Sequence, residues 1–187
     1  TGAIVAPYVI DNRKCISFLT IELRGANPRE MRPLVGDWIF GCDICQDVCP
    51  VNRKAESPVL PIQKTAAVGP SGQLDLVELL ELTEEKFRDQ FQGTSIMRAK
   101  RVGMQKNACV ALGNNRDGSG VPALVATLKT ADTLVRGHAA WALGQVATPD
   151  AISALEQATT SEDDPYVLEE IGAALAETRQ RLSTSKA

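Results

Sequence analysis

Four of the five cysteines lie before residue 50, and three of them have the spacing of an iron-sulfur site. Cys42, Cys45 and Cys49, with Pro50 after the last, form the pattern C-x2-C-x3-C-P. This is the second half of the bacterial run C-x2-C-x2-C-x3-C-P, whose soft thiolate ligands bind [4Fe-4S] clusters. Cys15, far upstream, is the candidate for the missing cysteine of that run. The spacing therefore predicts a metal centre with these four cysteines as ligands.

The same spacing predicts which cysteines share one centre. Cys42 and Cys45 can turn back onto a single centre, whereas the thiol of Cys49 points away and would bind a second cluster. A zinc ion held by four cysteines is the alternative, but zinc sites usually have two C-x2-C pairs and this chain has one. The iron-sulfur interpretation is therefore favoured. A disulfide is not, because nothing marks the chain as secreted.

Three apolar residues, Trp38, Ile39 and Phe40, stand just before Cys42. Apolar side chains around a cluster keep water away and tune its potential. We expect these three residues to form such walls, with Trp38 as a simple core residue as the alternative.

Composition limits the classes of function. The 187 residues suffice for one large or two small domains, and the net charge of −3 excludes a global basic field. Cysteines confined to one segment indicate a metal site in a reducing cytosol, and no apolar run is long enough to span a bilayer, so we expect a cytoplasmic protein without membrane contact. We also expect a monomer. The first residues lack the features of a signal peptide. We expect the chain to be a fragment that begins just after a first C-x2-C-x2-C-x3-C-P run.

The predicted fold is mainly α, with a partial ferredoxin-like iron-sulfur segment followed by an α-helical HEAT-like repeat domain. We assign residues 1–56 to the iron-sulfur part, residues 57–72 to a linker rich in Pro and Gly, and residues 73–187 to the repeats. An apolar run in residues 3–10 predicts a short strand and turn.

Local signals place several short helices. A helix is predicted over residues 28–34, opened by Pro28, whereas residues 16–22 fit either a strand or a helix. Residues 75–82 have helical spacing of leucines, and Thr83 caps a further helix that runs to Phe91.

An internal repeat fills the second half. Residues 107–114 match residues 138–145, and a third, degenerate copy starts at Asp164. Each unit is predicted to be a helix, a turn and a second helix, with small residues allowing close packing. Cys109 is expected to be a buried small hydrophobic residue, and His138 to be structural.

Residues 94–107, the basic segment, contain four cations and no acid: Arg98, Lys100, Arg101 and Lys106. A helix that opens at Thr94 or Ser95 would favour an anion at its start. The functional interpretation is contact with the phosphate backbone of RNA. The alternative is a solvated helix face.

Two stretches resemble epoxyqueuosine reductase: DNRKCISFLTIE (11–22) and GDWIFGCDICQDVCPVN (36–52). The resemblance implies reduction of epoxyqueuosine to queuosine in tRNA by means of cobalamin and two [4Fe-4S] clusters. Electrons would pass from a donor through the clusters to the cobalt. The N-terminal cobalamin domain with its catalytic acid is absent from this chain, so no catalytic residue is assigned here.

The resemblance also implies roles for individual residues. The first cluster would be bound by Cys15, Cys42 and Cys45, together with a cysteine of the first motif, and Cys49 would complete the second cluster. Ser17 and Asp43, beside these ligands, could face the corrin of cobalamin. The residues expected to face tRNA phosphate are Arg98, Lys100 and Arg101.

Two other functions share these features. One is a reductive dehalogenase, which also combines cobalamin with two clusters but has no need of a tRNA-facing helical solenoid. The other is an electron-transfer module fused to a protein-binding scaffold, for which tRNA binding would be absent or insensitive to salt.

Overall fold

The computed structural model of the chain describes residues 1–52 and 74–184, and within them the fold is mainly α-helical, as predicted. The predicted linker lies outside the described residues, so the division into domains stays a prediction. In the two described ranges, no helix is both long and apolar enough to cross a membrane.

Residues 1–52, the cysteine segment, begin with a β-hairpin, which confirms the predicted strand and turn. Strand β1 (Ile4–Ala6) pairs antiparallel with strand β2 (Val9–Ile10). Asp11 then caps the 3-10 helix Asn12–Lys14 by accepting a hydrogen bond from a backbone N–H of its first turn. Cys15 follows directly, so the hairpin and this cap fix where the first cysteine lies.

The next part of the cysteine segment is helical but irregular. The structure resolves the ambiguity after Cys15 in favour of a helix, with a π-helical turn at Phe18–Glu22. The helix predicted to open at Pro28 begins later, since α1 is Arg32–Val35. The carbonyl of Pro28 instead closes a turn by accepting a hydrogen bond from the N–H of Met31.

The first helices after the undescribed stretch agree with their capping signals. Helix α3 (Leu76–Glu81) is capped by Asp75 and helix α4 (Glu84–Phe91) by Thr83. Gly93 has a φ of 79°, a left-handed conformation that glycine adopts without strain and that ends the helical pattern. The predicted pair of short helices is therefore confirmed.

The repeat forms two layers of helices. The inner layer consists of α5 (Lys100–Asn115), α7 (Thr133–Val146) and α9 (Pro165–Thr184), with α5 packed on α7 and α7 on α9. The outer layer consists of α6 (Val121–Thr130) and α8 (Pro149–Ser161). The first two repeat units are the predicted helix pairs. The third unit differs, because in the described residues it is the single long helix α9.

Small residues set the distance between the inner helices, as the repeat predicts. A Cβ atom placed on Gly113 would lie 2.9 Å from the Cα of Ala142, and one on Gly144 would lie 2.6 Å from the Cβ of Ala174. Both distances are shorter than a carbon-carbon contact allows. These glycines are therefore required for the close packing of successive inner helices.

The basic segment is not one continuous helix, contrary to the prediction. A 3-10 helix covers Ser95–Arg98, and α5 starts only at Lys100, which has a φ of 63°. The break coincides with an external hydrogen-bond donor. The guanidinium of Arg24 donates to the carbonyl of Arg98 at 2.8 Å and to that of Ala99 at 3.3 Å. These carbonyls are thus paired outside their own helix.

The cysteine segment and the repeats share one hydrophobic core, to which the cysteine segment contributes Ile16, Leu19, Met31 and Val35. A buried ion pair crosses the same interface. Arg32, which is 1% exposed, donates to both carboxylate oxygens of Glu170 at 2.9 and 2.6 Å. The guanidinium of Arg32 also donates to the carbonyl of Asn27 and lies 5.6 Å from the ring centroid of Trp141. Arg32 therefore connects α1 to both α7 and α9.

Removal of the Glu170 carboxylate is expected to destabilise the fold strongly. In the variant Glu170→Ala the guanidinium of Arg32 stays buried without its counterion, which costs about 3–5 kcal/mol in buried pairs. Chemical denaturation followed by circular dichroism measures the change in the free energy of unfolding. The control is Glu156→Ala, which breaks the exposed pair with Arg179 (3.7 Å) and is expected to cost at most about 1 kcal/mol. Equal losses in both variants would contradict the prediction.

Candidate metal centre

Three of the four predicted ligands line one cavity. Cys15, Cys42 and Cys45 contribute to its walls, and its volume is about 300 Å³. Cys15 comes from the end of the first 3-10 helix, and Cys45 lies in helix α2 (Ile44–Asp47) just after Cys42. The structure thus brings together the distant cysteine and the C-x2-C pair.

The walls of this cavity are apolar but differ from those predicted. The large apolar side chains that line it are Ile4, Ile10, Ile16, Ile44 and Val48. Trp38, Ile39 and Phe40 are not among the lining residues, so the prediction of these walls is wrong. Trp38 is 39% exposed, so it is not a core residue either. The hairpin and helix α2 take this place because they fold back over Cys15.

The three thiols and the apolar lining of the cavity suit an iron-sulfur cage. In the described ranges, no three Cys, His, Asp or Glu side chains are placed to hold a single metal ion. The three thiols instead stand around a cavity. A tetrahedral zinc ion needs all ligands within about 2.3 Å of one point, whereas each iron of a [4Fe-4S] cage takes its own cysteine. The thiolate ligands and the apolar lining therefore favour the cluster over zinc.

A hydrogen-bonded bridge holds the two cysteine-bearing loops in register. The hydroxyl of Thr20 donates to the carbonyl of Ile16 at 2.8 Å and accepts from the N–H of Gly41 at 3.0 Å. From helix α5, the amide of Asn107 donates to the carbonyls of Thr20 (2.7 Å) and Ile39 (2.8 Å). Sequence reasoning missed this bridge. Its one signal is the polar Asn107 at the start of a repeat motif whose next six residues carry no polar side chain other than a thiol.

Lys106, counted among the cations of the basic segment, is buried against the cysteine segment. Its side-chain nitrogen donates to the carbonyls of Leu19 (3.4 Å), Leu23 (3.0 Å) and Gly25 (3.4 Å). Burial, with the positive charges of two nearby arginines, lowers the pKa of Lys106 to about 8. Lys106 therefore satisfies backbone carbonyls at the end of the π-helical turn and presents no charge to solvent.

The last cysteine and the two residues assigned to cobalamin lie around the cavity rather than in its walls. Cys49, just after α2, does not line it, in keeping with the direction expected for its thiol. Asp43 is exposed and Ser17 is half-buried. In the part of the chain that the structure describes, neither side chain has a hydrogen-bond partner. Both polar groups are therefore available to a ligand, and their assignment to cobalamin stays a prediction.

The three residues predicted to contact tRNA differ in their surroundings. Arg98 forms an ion pair with Glu22 at 2.6 Å, and Arg101 forms one with Glu84 at 3.1 Å. Lys100 is exposed and has no partner among residues 1–52 and 74–184. Two nearby carboxylates thus offset part of the positive charge that the sequence shows in this stretch.

The remaining cysteine and the histidine are structural, as predicted. Cys109 is fully buried, and burial raises the pKa of its thiol. His138 is also fully buried, and this burial together with the nearby Arg32 lowers its pKa well below the ordinary value. Its Nε2 accepts the N–H of Asn27 at 3.2 Å, so Nδ1 carries the proton and donates to the carbonyl of Leu134 at 2.8 Å.

Comparison with protein families matches both halves of the chain. Residues 1–52 match the 4Fe-4S double cluster binding domain, and residues 95–176 match HEAT repeats. The first match supports iron-sulfur binding by the cysteine segment. The second supports the helical repeats seen in the structure.

Curated proteins with similar sequences are epoxyqueuosine reductases. Those of Shigella dysenteriae serotype 1 (strain Sd197) and Escherichia coli (strain K12) are each 41% identical over 152 residues, covering 78% of this chain and 38% of the relative. That of Pseudomonas aeruginosa (strain PAO1) is 43% identical over 149 residues, covering 76% of this chain and 39% of the relative. The chain thus spans about two fifths of the length of these relatives.

Solved structures lead to the same enzyme. The crystal structure of epoxyqueuosine reductase with a tRNA-Tyr epoxyqueuosine-modified tRNA stem loop has a TM-score of 0.80 at 31% identity, covering 96% of this chain and 47% of that one. The structure of epoxyqueuosine reductase from Streptococcus thermophilus has a TM-score of 0.79 at 27% identity, with the same coverage. The likeness extends over both the cysteine segment and the repeats.

The buried Lys106 predicts a distinct pH dependence of stability. Below pH 8 the lysine is charged in both states; between pH 8 and its ordinary 10.5 only the folded state has released the proton. The unfolded state then binds more protons, so stability rises with pH in this window, by up to about 3 kcal/mol. The measurement is the free energy of unfolding of the protein and of Lys106→Met at each pH from 7 to 10.5. The quantity of interest is the difference between these two free energies.

That difference is expected to grow with pH in favour of the unaltered protein. The exposed Lys86→Met controls for the removal of a lysine charge. Parallel pH profiles for the protein and for Lys106→Met would contradict the prediction.

Proposed function

We propose that this chain is part of an epoxyqueuosine reductase, which reduces epoxyqueuosine to queuosine in tRNA. The chain is homologous to part of the enzymes of that name, and those enzymes are oxidoreductases. Because the chain spans less than half of their length, the activity is proposed for a whole protein that contains this chain.

The observation that carries this proposal is the convergence of Cys15, Cys42 and Cys45 on one apolar cavity. Three thiolates in an apolar shell fit a [4Fe-4S] cluster that transfers electrons out of contact with water. We assign the fourth ligand of this cluster to a cysteine outside the chain. Cys49, which does not line the cavity, would be a ligand of a second [4Fe-4S] cluster.

Cobalamin is the second proposed cofactor. Bound cobalamin would supply the chemistry of electron transfer to the epoxide. Ser17 offers a hydroxyl that can donate or accept a hydrogen bond, and Asp43 offers an exposed carboxylate that can accept one. Both stand beside cluster ligands in the sequence, and both have unused hydrogen-bonding capacity in the described ranges. They are therefore suited to orient a polar cofactor beside the cluster.

The proposed RNA contact is the exposed start of the repeats, with Arg98, Lys100 and Arg101. Lysine and arginine side chains bind phosphate through charge, and this binding weakens as salt rises. The tRNA stem loop bound by a related reductase supports a tRNA partner for this chain. An electron donor or reductant, a cytoplasmic location and a monomeric state complete the proposal.

Replacement of one cluster ligand tests the enzymatic proposal. In the whole protein, Cys42→Ser is expected to lose one cluster, about four iron atoms per chain, and with it the reduction of an epoxyqueuosine-containing stem loop. Iron content, visible absorption after anaerobic reconstitution, and conversion of the modified base are the three measurements. Circular dichroism is expected to show unchanged helix content.

The matched control is Cys109→Ser, which removes a buried cysteine that is not near the cavity. Its iron content is expected to equal that of the unaltered protein. If Cys42→Ser retained its full iron content, the proposed ligand set would be wrong. If it lost iron but converted the base at the normal rate, the role proposed for this cluster in the reaction would be wrong.

A second test concerns the proposed RNA contact. The double variant Arg98→Ala, Arg101→Ala is expected to bind a tRNA stem loop more weakly. The slope of log affinity against log salt concentration is expected to fall by up to about two, one for each lost phosphate contact. Binding isotherms across a salt series measure both quantities. Arg179→Ala, which removes an exposed arginine of α9, is the control. Isotherms identical to those of the control would assign the two arginines to a solvated helix face.

A further inference from the structure

One ion pair joins the cysteine segment to the basic segment. The Nε of Arg98 lies 2.6 Å from a carboxylate oxygen of Glu22, and both side chains are exposed, at 68% and 36%. The two residues come from different parts of the chain, Glu22 from the end of the π-helical turn and Arg98 from the end of a 3-10 helix. The carboxylate thus takes up the Nε of Arg98 and offsets part of the charge that would attract a phosphate.

The backbone around this pair is held in place by a neighbour of Glu22. The guanidinium of Arg24 donates to the carbonyls of Arg98, Ala99 and Ile21, at 2.8, 3.3 and 3.1 Å. One planar side chain therefore connects the end of the π-helical turn to the end of the 3-10 helix. Because both backbones are fixed to the same group, Arg98 and Glu22 are held close together at little cost in entropy.

We propose that Glu22 is an internal competitor for the anion bound by Arg98, and that it sets the affinity of the basic segment for RNA phosphate. This inference rests on the proposed RNA-binding function of that segment. A phosphate that binds the Nε of Arg98 must displace the carboxylate, and one that binds the other guanidinium nitrogens is repelled by the carboxylate nearby. The apparent affinity of Arg98 for phosphate is reduced in proportion to the fraction of protein in which the Glu22 carboxylate binds its guanidinium.

The other two cations of the surface are less suited to this control. Lys100 has no partner in the described ranges. Arg101 is only 25% exposed on its side chain and keeps a hydrogen bond to Gln105 at 2.7 Å even without Glu84. Loss of Glu84 therefore frees less binding capacity than loss of Glu22.

The test is the variant Glu22→Gln in the whole protein, with an unmodified tRNA anticodon stem loop as the probe. Glutamine keeps the size of the side chain but removes the charge. At low salt the variant is expected to bind the stem loop about two- to five-fold more tightly, the range that an exposed ion pair represents. The gain is expected to shrink as salt rises. Fluorescence anisotropy titrations measure it.

A double-mutant cycle shows whether the effect passes through Arg98. In the Arg98→Ala background, Glu22→Gln is expected to give little or no gain in affinity for the stem loop. The control is Glu84→Gln in the unaltered protein, which is expected to give a smaller gain than Glu22→Gln. Unchanged or weaker binding by Glu22→Gln would overturn the proposal. An equal gain in the Arg98→Ala background, or from Glu84→Gln, would overturn it as well.

The cycle also separates this inference from the function on which it rests. If Arg98→Ala, Lys100→Ala and Arg101→Ala all bind the stem loop as the unaltered protein does, the proposed RNA contact itself fails, and the competition fails with it. If these variants weaken binding while Glu22→Gln does not tighten it, the RNA contact stands and the competition alone is refuted.

Discussion

The fold depends on polar side chains of the repeats that pair with backbone carbonyls of the cysteine segment. That segment is short of regular structure, so many of its carbonyls have no partner within their own helix, and a buried carbonyl without a partner is costly. Helix α5 supplies the donors through Lys106, Asn107 and Asn114, whose amide donates to the carbonyls of Arg32 and Gly36 at 2.9 and 2.7 Å. The irregular backbone that carries the cysteines is thus stable only against this helix.

The same requirement places the cysteine-bearing loops and the basic residues on one helix. The buried face of α5 fixes both cysteine-bearing loops through Asn107, while its exposed start carries Lys100 and Arg101. A rigid helix holds its two ends in a fixed relation, so the cysteine-bearing loops and the basic start of α5 keep a constant separation. An enzyme that must bring a base of bound tRNA to a redox centre needs such a relation.

Local signals were enough for part of this structure. The caps at Asp75 and Thr83 act within one helix turn, and the small residues recur at a fixed period in the repeat; the structure agrees with both signals. Long-range pairing decided the rest. Nothing near Lys106 in the sequence separates it from the exposed cations Arg98 and Lys100, because its partners are carbonyls more than 80 residues upstream. The walls of the cavity were missed for a similar reason, since the hairpin reaches the cluster site only through folding.

Polar residues on the inner helices of successive repeats show that the repeats are adapted to bind the cysteine segment. Asn107 in α5, His138 in α7 and Glu170 in α9 each bind the cysteine segment, through carbonyls, a backbone N–H and Arg32 respectively. A generic repeat would place apolar or solvated residues there, because an unpaired buried polar group is destabilising. Each of these residues is stable only when its partner is docked. The repeats therefore recognise the cysteine segment through specific hydrogen bonds, and the two form one structural unit in the described residues.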